Sequence, residues 1–258
     1  MSERNGAPEG TVRPFDLTGR VAIVTGAAGG IGGAICRRFA EAGARVALFD
    51  RNPAVTEAAA ALGPNHRGFQ GDVTDEAAII SGVAAVAAAF GRIDILVNNA
   101  GMGTLHPAEA FPTADWDLTL AVNLRAPFLF AREAAKPMLA QGSGRVITIA
   151  SQASVIGIEG HTAYSASKAG LIGMTNCMAI EWGPRGVTAN CISPTVVETE
   201  MGKIGWSGEK GVRARAEIPT RRFAQPDEIA LAALYLASDA AAMVNGANLM
   251  VDGGYTIR

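Results

Sequence analysis

From Val21 to the C-terminus, short and nearly continuous apolar runs alternate with longer segments in which apolar residues recur every three or four positions. The first run, Val21 to Val24, leads into a glycine cluster and then into Ala34 to Gly43 at helical spacing, which predicts strand, tight turn and helix. Further strands are expected at Ala44 to Phe49, His66 to Gln70, Ile93 to Val97, Arg145 to Ala150, Val187 to Ile192 and Ala247 to Val251. Between them, helices are expected over Val55 to Leu62, over an Ala/Val-rich stretch capped by Thr74 or Asp75 and ending at Phe90, and from a Thr113 cap through Trp116 and Asn123. A helical pattern resumes beyond Pro127 and is disturbed near its end by Pro137; two more helices cover Ala163 to Trp182, stopped by Gly183-Pro184, and Pro226 to Ala237. Strands without polar alternation are covered on both faces, so the pattern predicts an α/β, doubly wound fold: a parallel sheet of about seven strands with helices on both sides.

A length of 258 residues suits one such domain, expected over residues 15–258, with a polar, Gly- and Pro-containing disordered tail over residues 1–14. The net charge of −2, with no lysine or arginine cluster, gives no electrostatic reason to expect nucleic acid. Apolar runs such as Val83 to Phe90 fall far short of the roughly 20 residues of a membrane span, and the start lacks a signal-peptide block, so a soluble cytoplasmic protein is expected. Cys36, Cys177 and Cys191 lie in apolar segments at no metal-like spacing; they are expected to be small core residues, and no metal site is expected.

Two features carry chemistry. Thr25-Gly-Ala-Ala-Gly-Gly-Ile-Gly32 places glycines at 26, 30 and 32 between a strand and a helix. Glycines there allow a sharp turn and close backbone approach, and the helix N-terminus supplies free N–H groups to a pyrophosphate in a Rossmann-type unit. Tyr164-Ser-Ala-Ser-Lys168 places a phenol and an ammonium on one helix face, one turn apart. A cation about 5 Å from a phenol contributes roughly 3 kcal/mol at an effective dielectric near 20, about two pKa units, but under about 1 kcal/mol in bulk water. Such a pair turns tyrosine into a usable base only in a cleft from which water is excluded. Ser151, at a strand tip, offers a hydroxyl to steady a substrate oxygen, and Asn123 is expected to hold a water behind Lys168.

The glycine pattern, Asn98-Asn99-Ala100-Gly101, Asn123, Ser151, Tyr164 and Lys168, in this order, closely resemble the short-chain dehydrogenase/reductase family from about Phe15 to Arg258. The resemblance implies a catalytic tetrad of Asn123, Ser151, Tyr164 and Lys168, with Tyr164 as proton acceptor or donor and Lys168 also holding the nicotinamide ribose. It implies that Gly26, Gly30, Ile31 and Gly32 face the dinucleotide, that Asp72 and Val73 contact the adenine, and that Asn99, Ala100 and Gly101 line the cofactor. It further implies contacts from Pro194, Val197 and Thr199, and a homotetramer built through the helices carrying Asn123 and Tyr164 and through the last strand. The chain departs from the pattern where Thr195 follows Pro194, a place where the family often has glycine. Asp50 ends the second strand, where a carboxylate accepts ribose hydroxyls and repels a 2′-phosphate, favouring NAD; Arg51 beside it is the counter-signal.

The loops at Met102 to His106 and Gln152 to His161 and an irregular excursion over residues 194–220 are expected to cover the substrate. Gln152 and His161, with Ser151 and Tyr164, are the candidate substrate contacts, and Glu159, Glu198, Val155, Ile156, Met201 and Trp206 complete a mixed lining. Polar groups around a small apolar floor suit a polyhydroxylated substrate, and Ser193 to Gly202 and Val251 to Ile257 resemble the sugar-alcohol branch of the family. The leading expectation is therefore an NAD-dependent oxidoreductase acting on a secondary alcohol of a polyol. The alternatives are an NADPH-dependent reductase of 3-oxoacyl thioesters or other carbonyls, and a non-catalytic NAD(H)-sensing protein.

Overall fold

The computed structural model describes residues 14–199, 202, 206 and 208–258; the expected tail over 1–14 lies almost wholly outside the described residues, as does Met201. Seven parallel strands form one sheet in the order β3-β2-β1-β4-β5-β6-β7. They are β1 Val21–Thr25, β2 Arg45–Asp50, β3 Arg67–Gln70, β4 Ile95–Asn98, β5 Gly144–Ile149, β6 Val187–Pro194 and β7 Asn248–Val251. The helices are α1 Gly30–Glu41, α2 Val55–Leu62, α3 Glu76–Phe90, α4 Thr113–Leu120, α5 Ala126–Gln141, α6 Thr162–Trp182, α7 Gly208–Glu217 and α8 Pro226–Ala237.

The sheet divides the interior into two apolar layers because successive side chains on a strand point to opposite faces. In β1, Ala22 and Val24 pack with α1, α2 and α8 through Ile35, Phe39, Val55 and Ile229. Val21 and Ile23 pack against the opposite layer with α3, α5 and α6, among Ile79, Phe130 and Met178. Phe49 anchors that second layer, its ring 5.0 Å from that of Phe130 in an edge-to-face arrangement. A Cβ at Gly82 would come within 2.6 Å of the Phe49 ring, so this glycine lets α3 lie close to the sheet. The strand order reverses between β1 and β4, both of which end at the same edge, and this is where a parallel sheet opens a crevice for ligands.

Four local expectations need correction. Thr113 is the first residue of α4 and not its cap; the preceding Pro112 has no side-chain donor or acceptor. The helix that holds Asn123 does not break before Pro127: α4 runs through a π-helical turn, Ala121–Arg125, directly into α5, which continues past Pro137 to Gln141. Residues 194–220 are not wholly irregular, since α7 lies within them. Cys177 is exposed, whereas Cys36 and Cys191 are buried.

Asp75 caps α3, its Oδ1 accepting from the N–H groups of Ala77 at 2.9 Å and Ala78 at 3.3 Å. Asp75→Ala leaves these donors without that acceptor and is expected to lower stability by about 1 kcal/mol, read as a shift in the urea midpoint at unchanged slope. An unshifted midpoint would show that water replaces the cap without cost.

Candidate active site

The glycine loop and the tip of β4 are joined by four hydrogen bonds. The buried Thr25 hydroxyl accepts from the N–H groups of Asn99 and Ala100, both at 3.0 Å. Asn99 Nδ2 donates in return to the carbonyls of Thr25 at 2.9 Å and Gly26 at 3.1 Å. This closeness dictates two glycines. Gly26 has φ +64°, and a Cβ there would sit 2.9 Å from Ala100 Cα; a Cβ at Gly32 would sit 2.2 Å from the Gly26 oxygen. The start of α1 has no side-chain cap, leaving its first N–H groups to a ligand. Gly30, Ile31 and Gly32 open this helix, and Thr199 is brought to it, its Cγ2 within 3.5 Å of where a Gly30 Cβ would lie. The cradle fits an anionic pyrophosphate, because the space that side chains would fill is bounded by backbone and the dipole favours negative charge.

Asp50 ends β2 beside this loop. Its Oδ2 accepts from Ala28 N–H at 3.0 Å and its Oδ1 from Asn52 N–H at 2.9 Å, so the carboxylate is fixed within reach of the loop. Asp72 is exposed and closes its own turn, accepting from the N–H and hydroxyl of Thr74, both at 2.8 Å. Those bonds, and the nearby Arg51 guanidinium, hold its carboxyl below the usual range. Val73 is half-buried against the second apolar layer, and Asn98 fixes the start of α5 by donating to the Pro127 carbonyl at 3.2 Å.

At the ends of β5 and β6 lies the second group. Ser151, following β5, is buried, and its Oγ accepts from Ala153 N–H at 3.2 Å. Lys168 is buried on α6 and donates to the Ile149 carbonyl at 2.7 Å; its Nζ is 5.6 Å from the centre of the Tyr164 ring. The half-buried Tyr164 ring has His161 at 6.0 Å, edge to face, and Gly103 against it, where a Cβ would come within 3.3 Å. His161 donates from Nδ1 to the Glu159 carbonyl at 2.7 Å, because that oxygen can only accept. The buried Gln152 Oε1 and Thr195 Oγ1 have no hydrogen-bond partner among the described residues. Pro194 and Val197 are buried at the end of β6 and just beyond it.

The Asn123 side chain is engaged by the protein: Nδ2 donates to the Met102 carbonyl at 2.7 Å and to Ser167 Oγ at 3.1 Å, while Oδ1 accepts from Met102 N–H at 2.8 Å. One expectation about this group is revised. The Tyr164 phenol is not lowered here; burial holds it above its ordinary value, with the Ser151 hydroxyl acting in the opposite direction. Burial acts on the cation as well and pushes Lys168 down to about 8. Glu198 accepts from Gln225 Nε2 at 3.1 Å and pairs with Arg215 at 4.0 Å. Trp206 packs on Phe223 and Lys210, and Val155 is exposed. The sequence assigns no part to the Thr25 hydroxyl or to Ser167, and Met102 is expected there only as the start of a substrate-covering loop. Thr25 and Ser167 stand inside motifs already singled out, whereas the bonds made by Met102 are main-chain bonds that leave no sequence signal.

A phosphate-accepting helix start at the reversal of a parallel sheet, beside a half-buried tyrosine and a buried lysine one helical turn apart, defines a nicotinamide-dinucleotide oxidoreductase. A family model described as enoyl-(acyl carrier protein) reductase matches residues 26–256. The chain is 54% identical over 248 residues to a D-threitol dehydrogenase of Mycolicibacterium smegmatis, covering 95% of each protein. It is 44% identical to an NAD-dependent glycerol dehydrogenase of Listeria innocua, covering 97% of this chain and 99% of that one. A crystal structure described as a putative NAD(P)-dependent gluconate 5-dehydrogenase from Beutenbergia cavernae, with NADP bound at low occupancy, superposes with a TM-score of 0.91 at 39% identity, over 95% of this chain and all of that one. The chain belongs to the short-chain dehydrogenase/reductase family. Among the described residues no helix is long and apolar enough to cross a membrane, and no His, Cys, Asp and Glu side chains group as metal ligands.

The depressed Lys168 value has a consequence for stability. An amine at about 8 in the folded protein and 10.5 outside it penalises folding below pH 8, and the penalty fades as pH rises from about 8 to 10.5. Lys168→Met removes the buried charge and is expected to be more stable than the parent at pH 7, by up to about 3 kcal/mol, with the gap closing toward pH 10 in urea melts. A variant less stable than the parent at both pH values would show that the Ile149 bond outweighs the desolvation.

Proposed function

We propose that the protein is an NAD-dependent dehydrogenase that oxidises a secondary alcohol of a small polyol, with Tyr164 as the general base. The observation that carries this reading is the grouping of the half-buried Tyr164 with the buried Lys168 and Ser151 at the strand edge where the glycine cradle opens. The names of its relatives, a threitol and a glycerol dehydrogenase, support the substrate class.

The dinucleotide would be held by Gly26, Gly30, Ile31 and Gly32 at the phosphates and by Asp50 at the adenosine ribose. Asp72 and Val73 would face the adenine, Asn99, Ala100 and Gly101 the middle of the cleft, and Pro194, Val197 and Thr199 the nicotinamide end. The fixed Asp50 carboxylate favours NAD, since a 2′-phosphate beside it would be repelled, whereas the exposed Arg51 is drawn toward Asp72. When bound, the nicotinamide ring supplies the acceptor for hydride leaving the carbinol carbon. Ser151 steadies the alcohol oxygen and Tyr164 takes its proton; the Lys168 ammonium, still protonated below about pH 8, favours the phenolate that must form. Asn123 belongs to the same assembly by fixing Met102. Gln152, through its unpartnered Oε1, and His161, through its ring, offer hydrogen-bond partners to the remaining hydroxyls.

The segment at 194–220 would cover the substrate, with α7 as its ordered part. A homotetramer in a reducing cytoplasm fits the free cysteines and the apolar groove of Leu120, Ala121, Leu124, Phe128 and Met174 on the helices that carry Asn123 and Tyr164. The family description as an enoyl-(acyl carrier protein) reductase supports an acyl thioester as the alternative substrate class, and NADPH-dependent reduction of 3-oxoacyl thioesters or other carbonyls is the second reading.

A panel of polyols and acyl thioesters, each assayed with NAD(H) and NADP(H), separates the two. The expected result is turnover of a polyol with NAD, and a loss of at least about 1,000-fold in kcat for Tyr164→Phe, with NADH binding retained. Turnover confined to acyl thioesters with NADPH would overturn the substrate reading, and a Tyr164→Phe variant at parental rate would overturn the mechanism.

A further inference from the structure

Ser167 stands one position before Lys168 on α6 and is completely buried. Its hydroxyl donates to the Tyr164 carbonyl at 2.7 Å, a bond to the preceding turn that helical serines often make. The same oxygen also accepts a bond from a different element, the Asn123 Nδ2 donor on the π-helical turn, at 3.1 Å. The Asn123 amide then brackets Met102 through both of its polar atoms, at 2.7 and 2.8 Å. Three hydrogen bonds therefore connect α6, the π turn and the loop after β4, and the next residue of that loop, Gly103, lies against the Tyr164 ring.

The direction of these bonds is fixed. The Ser167 proton is committed to a carbonyl, so toward Asn123 the hydroxyl can only accept, which agrees with the rotamer that the two Met102 bonds demand and ties that amide to α6. The opposite rotamer would turn Oδ1 toward the Met102 carbonyl and Nδ2 toward the Met102 N–H, two repulsive contacts. Asn123 is itself completely buried, which leaves no room for solvent to replace the lost acceptor.

We propose that Ser167 is a positioning residue: its hydroxyl sets the Asn123 amide and, through Met102, the seat of Gly103 on the Tyr164 ring, holding the phenol in register for proton transfer. This rests on the reading of Tyr164 as the general base. In Ser167→Ala, kcat for the polyol is expected to fall about tenfold, while KM and the NADH dissociation constant stay within about twofold; the melting temperature is expected to fall by a few degrees, because Asn123 Nδ2 loses a buried acceptor. In an Asn123→Ala background the same substitution is expected to change kcat by less than about twofold, because the bond it removes is already gone. Ser167→Cys keeps the volume with a poor donor and acceptor; it covers the case in which the alanine variant does not fold, and the same tenfold loss is expected of it. Parental kcat in Ser167→Cys, an equal loss with and without Asn123, or a loss shared between kcat and dinucleotide affinity would each overturn the proposal. Tyr164→Phe separates the two levels: if it is inactive while the serine variants are fully active, only the positioning role fails, and if it is active, the general-base reading fails with it.

Discussion

The hydrogen bond from the Lys168 ammonium to the Ile149 carbonyl fixes where everything else in the cleft must stand. A cation taken out of water needs compensation, and here the direct hydrogen-bond partner is a main-chain oxygen at the end of a central strand. The constraint works in both directions. It holds α6 against the tip of β5, which brings Tyr164 beside Ser151, and it leaves the ammonium poorly solvated, which is why its pKa falls to about 8. Burial lifts the phenol above its ordinary value and lowers the amine from 10.5 to about 8, so in the free protein the phenol holds its proton more tightly than the ammonium does.

The sheet makes that placement possible. Both faces of β1 are buried, so its path is determined by packing, and its end at Thr25 lies beside the end of β4 at the point where strand order reverses. The Thr25 hydroxyl and the Asn99 amide lock these two ends together, and the glycines at 26 and 32 follow from how little space that lock leaves. The dinucleotide cradle is thus a product of the β1–β4 junction, and the tyrosine–lysine pair a product of the β5–α6 junction. Neighbouring strands of one rigid sheet set the distance between them.

Much of this was legible in the sequence, for identifiable reasons. Strands covered on both sides carry uninterrupted apolar residues, so Val21 to Val24, Ala44 to Phe49 and Val187 to Ile192 read directly as strands. The glycine spacing and the spacing of Tyr164 and Lys168 survive translation because one depends on backbone contact and the other on a single helical turn. What was not legible depends on tertiary contacts. The π-helical turn at Ala121–Arg125 is held by Asn123 reaching across to Met102 and Ser167, and the local sequence contains no breaker to mark it. α7 is polar, with an arginine-rich second half, and gave no periodic apolar signal. Asp50 and Asp72 looked alike as acidic residues after strands, yet one is fixed beside the glycine loop and the other closes a turn.

Tyr164 has only two companions of its kind, Tyr235 and Tyr255, so its ionisation can be followed individually by NMR in protein carrying ring-labelled tyrosine. The decisive measurement is the Tyr164 titration with and without NAD. The account predicts a phenol above its ordinary value in the free protein and well below it once the dinucleotide brings positive charge and excludes water. A Tyr164 titration that NAD leaves unmoved would contradict it.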